Sequence, residues 1–485
     1  MVIRLELFVR KYWLELLFFA ALSIYYIMGI SPSVTWVGLG GDAADYVVGT
    51  TNFWAVRPTG YPTFVILGWL FQRLPMDPFW NLGLLGALAA IGTCLFIFLT
   101  IKRFTNNRLA PYIGTLVYSA SFLVWTQSGL PDSVYSLNTL FMVAGVYFAL
   151  RNKWYTSAAV FALGVGVHHT MVFSLFPIIG YLFLKKYKWR ETNASILKFI
   201  GIVFLGFLAY LQALLCVHGQ ETTSGQTSFT GQTMGSIGFV FGLPLTETWS
   251  RIKDFVPIIL TGLGTGLVLL PFLKRSREII LLVICMLGPI AYYFFSNMPT
   301  WGRYMIPGFA FCAILIGIGA SRFPYKRILY IFPVVSIIFM GVNFQFWDVG
   351  RTMDPSPTAA SRYIKYLDTV PNGSLVYMAN WGEPWVETYY YLTEHNDRFW
   401  EISESQLRYF TEAYSKYKES QGLRMPSNYS IYGKLYKDTT YFDTWNQSMF
   451  LEDFSKLNPN VSIFIMERVG KTFTNEEFQY KEYIP

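Results

Sequence analysis

Eleven apolar runs separated by short polar links constrain this chain more than any other feature. They lie at about 12–30, 79–101, 111–128, 132–150, 155–168, 170–184, 197–216, 255–273, 278–296, 304–321 and 328–346. A helix of about 20 apolar residues crosses the hydrocarbon core with every backbone polar group satisfied internally. The fifth and sixth runs are short for that and read as a helical hairpin. Only 14% of the 485 residues are charged, against 53% hydrophobic, where soluble domains carry about 25% charge. The expected fold is therefore an α-helical polytopic membrane protein with about eleven transmembrane helices. Arg4, Arg10 and Lys11 precede the first run. That run exceeds the roughly 7–15 residues of a signal-peptide core, so it reads as a retained span.

Basic residues set the expected orientation. Lys102/Arg103/Arg108, Arg151/Lys153, Lys185/Lys186/Lys188/Arg190, Lys274/Arg275/Arg277 and Arg322/Lys326/Arg327 occupy alternate links. Positive residues mark cytoplasmic loops, which places the N-terminus inside. An odd span count then puts the C-terminal region outside. Residues 1–350 hold 24 Lys and Arg against 12 Asp and Glu, while 351–485 hold 14 against 18. The basic excess thus belongs to the membrane part. It gives no basic patch on a soluble domain, and no nucleic-acid partner is expected.

Two domains follow. Residues 1–346 form the membrane domain, with a long first outer loop at 31–78. Residues 347–485 mix polar and aromatic residues and read as a small extracytoplasmic α/β domain. Its strands are expected near Ser374–Met378 and Val461–Met466, and its helices near 358–369 and 384–395. Trp381, Trp385, Tyr389, Tyr390 and Tyr391 stand there as core or as sugar-stacking faces, while Glu383 and Glu387 are expected to face solvent. Sequons at Asn372, Asn428, Asn446 and Asn460 suit an outer location, and another lies at Asn193 in an inner loop. The Gly-, Ser- and Thr-rich loop 217–254 is a lid or a plain loop. Cys94, Cys216, Cys285 and Cys312 sit in or at the ends of apolar runs as buried small hydrophobes, without a disulfide or metal pattern.

Ionisable residues avoid the centres of the spans, where a proton- or ion-coupled transporter would place them. They gather at the outer ends instead: Asp42, Asp45, Arg57, Asp132, His168, His169 and Arg303. In Gly41-Asp42-Ala43-Ala44-Asp45-Tyr46 the two acids are three residues apart and share a face if helical. Positions 42–56 and 61–73 read as two short helices on the membrane surface. Between them Arg57-Pro58-Thr59-Gly60-Tyr61-Pro62 forces a turn. A partly buried carboxylate can accept a hydroxyl proton; capping or metal binding is the other reading of the pair, and a metal would need further oxygen ligands. No cofactor is expected. Asp132 after Pro131 is placed either to cap the fourth span or to face a cavity, with Tyr135 and Asn138 one turn further in. Of the adjacent His168 and His169, only one would face a site on a helix. Arg303, beside Tyr304 in Trp301-Gly302-Arg303-Tyr304, can bind phosphate oxygens as a fork or snorkel among headgroups.

The first-loop stretch resembles the motif of GT-C superfamily membrane glycosyltransferases related to the protein O-mannosyltransferases, whose usual form is Asp-Ser/Ala-Gly-Glu, then His-Pro-Pro-Gly-Tyr-Pro. Ser133-Val134-Tyr135-Ser136-Leu137-Asn138 and Gly164–Thr170 are similar to two further stretches of that family, and the resemblance covers about residues 35–215; because it includes Thr170, it favours His169 over His168 as the ring that faces the site. Asp45 stands where the family has Glu, Arg57 where it has His, and Thr59 where it has Pro. The resemblance implies a polyprenyl-phosphate-linked sugar donor in the outer leaflet and a single inverting displacement. Asp42 would activate the acceptor hydroxyl, with Asp45 in support. Arg57, Tyr61, Asp132, Tyr135, Asn138, His168, His169, Arg303 and Tyr304 would bind substrate. Mannose is the first candidate sugar, and the acceptor is a protein or glycolipid hydroxyl. The alternative is a transporter or flippase of a lipid-linked glycan precursor, which needs no base but would show paired repeats. A non-catalytic anchor displaying its outer domain is a third reading.

Overall fold

The structure is a computed structural model that describes residues 2–31, 40–53, 56, 61–185, 196–206, 208, 253, 263–295, 302–346, 366–379, 399–403, 416, 418–426, 433–435, 442–469 and 477–483. Arg57, the loop 217–254 apart from Lys253, Cys216 and the aromatic cluster at 381–391 with Glu383 and Glu387 lie outside them, as do Asn193, Asn428 and the helix expected at 384–395. The described residues fall into two compact units. One comprises Met1–Pro32, Phe53–Gly219 and Ser228–Pro355; the other comprises Ser33–Asn52, Gln220–Thr227 and Ser356–Pro485.

The first unit is a helical bundle. Its helices are α1 (Val2–Met28), α3 (Pro62–Phe71), α4 (Pro78–Phe104), α5 (Ala110–Ser119), α6 (Phe122–Gly129), α7 (Val134–Leu150), α8 (Trp154–Val165), α9 (Val172–Lys185), α10 (Ile196–Gly206), α11 (Arg277–Phe295), α12 (Ile306–Arg322) and α13 (Ile331–Phe346). Among the described residues four stretches are long and apolar enough to cross a membrane: Lys11–Met28, Pro78–Phe104, Arg277–Phe294 and Gly302–Arg322. The pair α6 and α7 meets the same criterion together but bends by 117°. Helix α4 shows why such a span starts and stops where it does. Asp77 accepts hydrogen bonds from the backbone of Phe79 at 2.8 Å and Trp80 at 3.2 Å, Pro78 fits the first turn, and Lys102 and Arg103 close the last. Each feature satisfies an end of the helix or its dipole.

The centre of the bundle is α4 packed on α5 and α7, with α12 against α5 and α11 against α12. Glycine allows the closest approaches. A Cβ on Gly129 would stand 2.0 Å from the carbonyl oxygen of Gly29, and one on Gly86 would stand 2.7 Å from that of Ser128. The backbone N–H of Ser31 donates to the Gly129 carbonyl at 2.9 Å, tying the end of α1 to the end of α6.

One expectation is corrected. The apolar run 111–128 is two helices, broken at Ala120 and Ser121. The break is held by tertiary hydrogen bonds. Asn343 on α13 donates to the Ala120 carbonyl at 3.2 Å and to the Tyr25 hydroxyl at 2.9 Å, and Tyr25 donates to the Ser119 carbonyl at 3.2 Å. The run 255–273, where described, gives only the short turns Gly264–Leu267 and Leu270–Phe272. Cys94, Cys285 and Cys312 are buried free thiols.

The second unit contains α2 (Gly40–Asn52) and a four-stranded sheet. Its order is β2 (Trp400–Ser403), β1 (Leu375–Ala379), β5 (Ile463–Val469), β6 (Glu477–Tyr483). The first three strands are parallel and β6 runs antiparallel to β5. Leu375, Val376, Tyr377 and Met378 are all fully buried, as suits a central strand covered on both faces. Helix α14 (Gln447–Leu457) is capped by the Asn446 side chain and packs Phe450, Leu451 and Phe454 into the core with Tyr377, Ile402, Ile463 and Ile465. A hairpin of β3 (Gly433–Leu435) and β4 (Phe442–Trp445) stands apart from that sheet.

Candidate functional site

The first unit gathers seven of the expected site residues into one cluster, buried except for the half-buried Tyr304. The bend between α6 and α7 carries Leu130-Pro131-Asp132-Ser133, steadied by Gln127, whose side-chain amide donates to the Asp132 carbonyl at 3.2 Å. Ser133 takes the N-cap position of α7. The Asp132 carboxylate receives a charge-assisted hydrogen bond from Arg303 Nη1. Arg303 stands in the 3₁₀ turn Gly302–Met305 that leads into α12. Both are buried, Asp132 at 1% exposure and Arg303 at 6%.

A buried guanidinium needs more than one partner, because its desolvation outweighs a single ion pair of ordinary geometry. Arg303 has a second. Its guanidinium carbon lies 4.5 Å from the centroid of the Tyr135 ring, in cation–π range. Tyr135, in the first turn of α7, meets Tyr304 edge-on at 5.3 Å, and their hydroxyls are 3.5 Å apart. Tyr304 in turn touches Tyr292 of α11 at 5.5 Å. The arrangement presents a fixed cation among aromatic rings and hydroxyls, which suits an anionic group joined to a polar ring.

His168 also packs against Tyr135, with ring centroids 5.4 Å apart, and lies 5.9 Å from Tyr304. The Tyr61 ring stacks on it at 5.5 Å. The chain reaches that position at a price in backbone strain: Tyr61 has φ 37° and ψ 55°, left-handed and immediately before Pro62. The Thr63 N–H donates to the Gly166 carbonyl at 2.9 Å, which fixes the start of α3 against the end of α8. Asn138, one turn beyond Tyr135, donates to the Thr170 hydroxyl at 2.9 Å.

The two histidines are not on a continuous helix. His168 is extended, with φ −159°, and His169 opens the 3₁₀ turn His169–Met171. His168 is buried at 1%, while His169 is exposed and stacks on it at 4.2 Å. The helical geometry assumed for the pair therefore does not apply, and the ring seated among the tyrosines is His168, not the His169 that the resemblance favoured. Asp42 and Asp45 stand three positions apart on α2, in the other unit. Among the described residues no group of three or more His, Cys, Asp or Glu could hold a metal.

Two members of the cluster are additions to the sequence reading. Tyr292 belongs to the run Tyr292-Tyr293-Phe294, which looks like an interfacial aromatic belt. Thr170 was visible only as the end of a motif.

Residues 42–193 match the family model for the N-terminal domain of protein O-mannosyl-transferase TMEM260. The protein O-mannosyl-transferase tmem260 of Dictyostelium discoideum is 24% identical over 223 residues, a stretch covering 40% of this chain and 26% of that relative. The chain therefore spans about a quarter of the relative's length. Among solved structures, ArnT from Cupriavidus metallidurans in the apo state superposes with a TM-score of 0.62 over 97% of this chain and 98% of its own, at 10% identity. The same protein bound to undecaprenyl phosphate gives 0.60 over 96% and 97%, also at 10% identity. That likeness is one of fold. Residues 42–193 are thus similar to the N-terminal domain of the TMEM260-type protein O-mannosyl-transferases, within a chain that shares the fold of ArnT.

Proposed function

We propose that this protein is a membrane glycosyltransferase that moves a sugar, with mannose the first candidate, from a polyprenyl-phosphate donor to a hydroxyl of a protein or glycolipid. The observation that carries the reading is the extent of the family match. It begins at Asp42 and takes in every candidate site residue except Arg303 and Tyr304. The ArnT complex with undecaprenyl phosphate supports a lipid phosphate as the donor's carrier.

In this reading the Asp42 carboxylate takes the proton of the acceptor hydroxyl. The hydroxyl oxygen attacks the anomeric carbon, the bond from that carbon to the phosphate oxygen breaks, and the lipid phosphate leaves with the electron pair. The anomeric configuration inverts. Asp45 supports Asp42. Arg303 meets the charge that develops on the leaving phosphate, a role in which a fixed cation is worth most when no water screens it. Asp132 holds that cation. The N-terminus lies on the cytoplasmic side and the α/β domain outside, where the acceptor is recognised.

The test is sugar transfer by the purified full chain, using radiolabelled polyprenyl-phosphate-mannose with a mixture of peptides and glycans. Wild type is expected to label an acceptor. Asp42→Asn is expected to bind donor and lose about a hundredfold or more in rate. Transfer by Asp42→Asn at the wild-type rate removes Asp42 as the base. A wild-type protein that labels nothing but moves the labelled lipid between leaflets is a flippase.

A further inference from the structure

The contacts of His168 fix which of its ring nitrogens carries the proton. The backbone N–H of Thr170 points at His168 Nδ1 from 3.3 Å, so that nitrogen accepts. The Thr170 hydroxyl lies 2.8 Å from the same nitrogen. Its oxygen receives the amide N–H of Asn138 at 2.9 Å, and because Nδ1 is an acceptor towards the backbone, the hydroxyl meets it with its own proton. Two donors therefore converge on Nδ1, and a neutral imidazole so held carries its proton on Nε2. The ring caps its own 3₁₀ turn as an Asp or Asn side chain would. Among the described residues Nε2 makes no hydrogen bond. Yet the residue is buried beside Tyr135 and Tyr304, and Tyr135 is the ring on which Arg303 sits.

We propose that Thr170, steadied by Asn138, is a positioning residue that locks His168 as the Nε2–H tautomer, so that this N–H donates a hydrogen bond to the phosphate of the lipid donor. The inference rests on the donor assigned above. It makes His168 a neutral donor and excludes it as a base, since its one lone pair is taken. It also explains why Arg303 is paired with Asp132. The phosphate then meets a cation fixed in direction and a neutral N–H, so its hydrogen bonds have defined directions and the buried site carries little excess charge.

The experiment is nitrogen NMR of the full chain in bilayers, labelled only at histidine. With four histidines in the sequence, His168→Asn identifies the signal by its loss. Wild type at neutral pH is expected to show Nδ1 unprotonated and Nε2 protonated. Farnesyl phosphate is expected to shift the Nε2 signal, and farnesol, which lacks the phosphate, is not. Thr170→Val should split the signal between tautomers or move the proton to Nδ1. It should weaken farnesyl phosphate binding about tenfold, the loss of roughly one hydrogen bond to a charged group. Thr170→Ser should restore both.

A proton on Nδ1 in wild type overturns the proposal, and that spectrum decides even if Thr170→Val fails to fold. An Nε2 signal unmoved by farnesyl phosphate also overturns it. So does a shift by inorganic phosphate in its absence, which assigns the site to a free anion. The tautomer is read without any sugar. A protein with the expected spectrum and no transfer therefore refutes the glycosyltransferase reading alone, and a protein that transfers sugar with the wrong tautomer refutes this inference alone.

Discussion

Arg303 Nη1 donates to Asp132 Oδ2 across 171 residues of sequence, and this bond ties the bend between α6 and α7 to the turn before α12. Both side chains are buried, so removing one strands the other charge, at about 3–5 kcal/mol where such pairs have been broken. Asp132→Ala should lower the unfolding midpoint in detergent by an amount in that range. Asp132→Asn keeps an acceptor for the guanidinium and should lose clearly less. The double variant Asp132→Asn/Arg303→Gln should be more stable than the sum of its single changes, because the interaction is counted twice in the sum. Strict additivity in that cycle would show that the pair does not hold the bend.

Tyr61 offers a different test, because backbone and side chain act in opposite directions there. A left-handed non-glycine residue costs about 1–2 kcal/mol, and the conformation persists because the ring is buried against His168. Tyr61→Ala loses the ring and keeps the strain, whereas Tyr61→Gly loses the ring and relieves it. Thermal unfolding should rank wild type first, then Tyr61→Gly, then Tyr61→Ala, with about 1–2 kcal/mol between the two variants. If the alanine variant is the more stable, the left-handed conformation is not a source of strain.

These two sites show what a sequence can and cannot convey about such a fold. The apolar runs announce α1, α4, α7, α11 and α12 because burial in lipid demands long unbroken apolar stretches. The same rule conceals the break at Ala120 and Ser121. There the backbone groups are satisfied by Asn343 and Tyr25, which lie far away in sequence. Asp132 and Arg303 stand out because charges near apolar runs are rare, yet nothing local to either says that they pair. For the histidines, a helix was the natural assumption between two apolar runs. The cap that His168 makes on its own 3₁₀ turn reverses which ring is buried. Thr170 shows in the sequence only as the end of a motif, and its two hydrogen-bond partners are what give it a role.

The contact between α1 and α6 yields a third prediction. A Cβ on Gly129 would come within 2.0 Å of the Gly29 carbonyl oxygen, and that clash involves backbone on both sides. Neither side can yield by a rotamer change, so Gly129→Ala must separate the two helix ends and disturb the Ser31 bond to the Gly129 carbonyl. Overpacking of this kind costs about 1–3 kcal/mol or more. Gly180→Ala is the control, since a Cβ there meets nothing within 4 Å, and it should unfold at the wild-type temperature. Equal midpoints for the two variants would mean that the helix ends are not in close contact.

The break between α5 and α6 depends on Asn343, and its removal gives the last prediction. Asn343 is buried, and its amide serves both the Tyr25 hydroxyl and the Ala120 carbonyl. Around it Tyr25, Trp125 and Phe344 pack with centroids 4.9–5.9 Å apart. Asn343→Leu keeps the volume and leaves the Ala120 carbonyl without that donor, at about 1–3 kcal/mol for a buried group. Tyr25→Phe removes the hydroxyl but leaves Asn343 bonded to Ala120, so it should cost less. Ala120 lies two residues before α6, and α6 leads through the bend to Asp132. Loosening the break should therefore reach the Asp132–Arg303 pair. Asn343→Leu is expected to raise the KM for the lipid donor while Tyr25→Phe leaves it near the wild-type value. A midpoint loss in Asn343→Leu without any change in donor KM would confine the break to stability and disconnect it from the site.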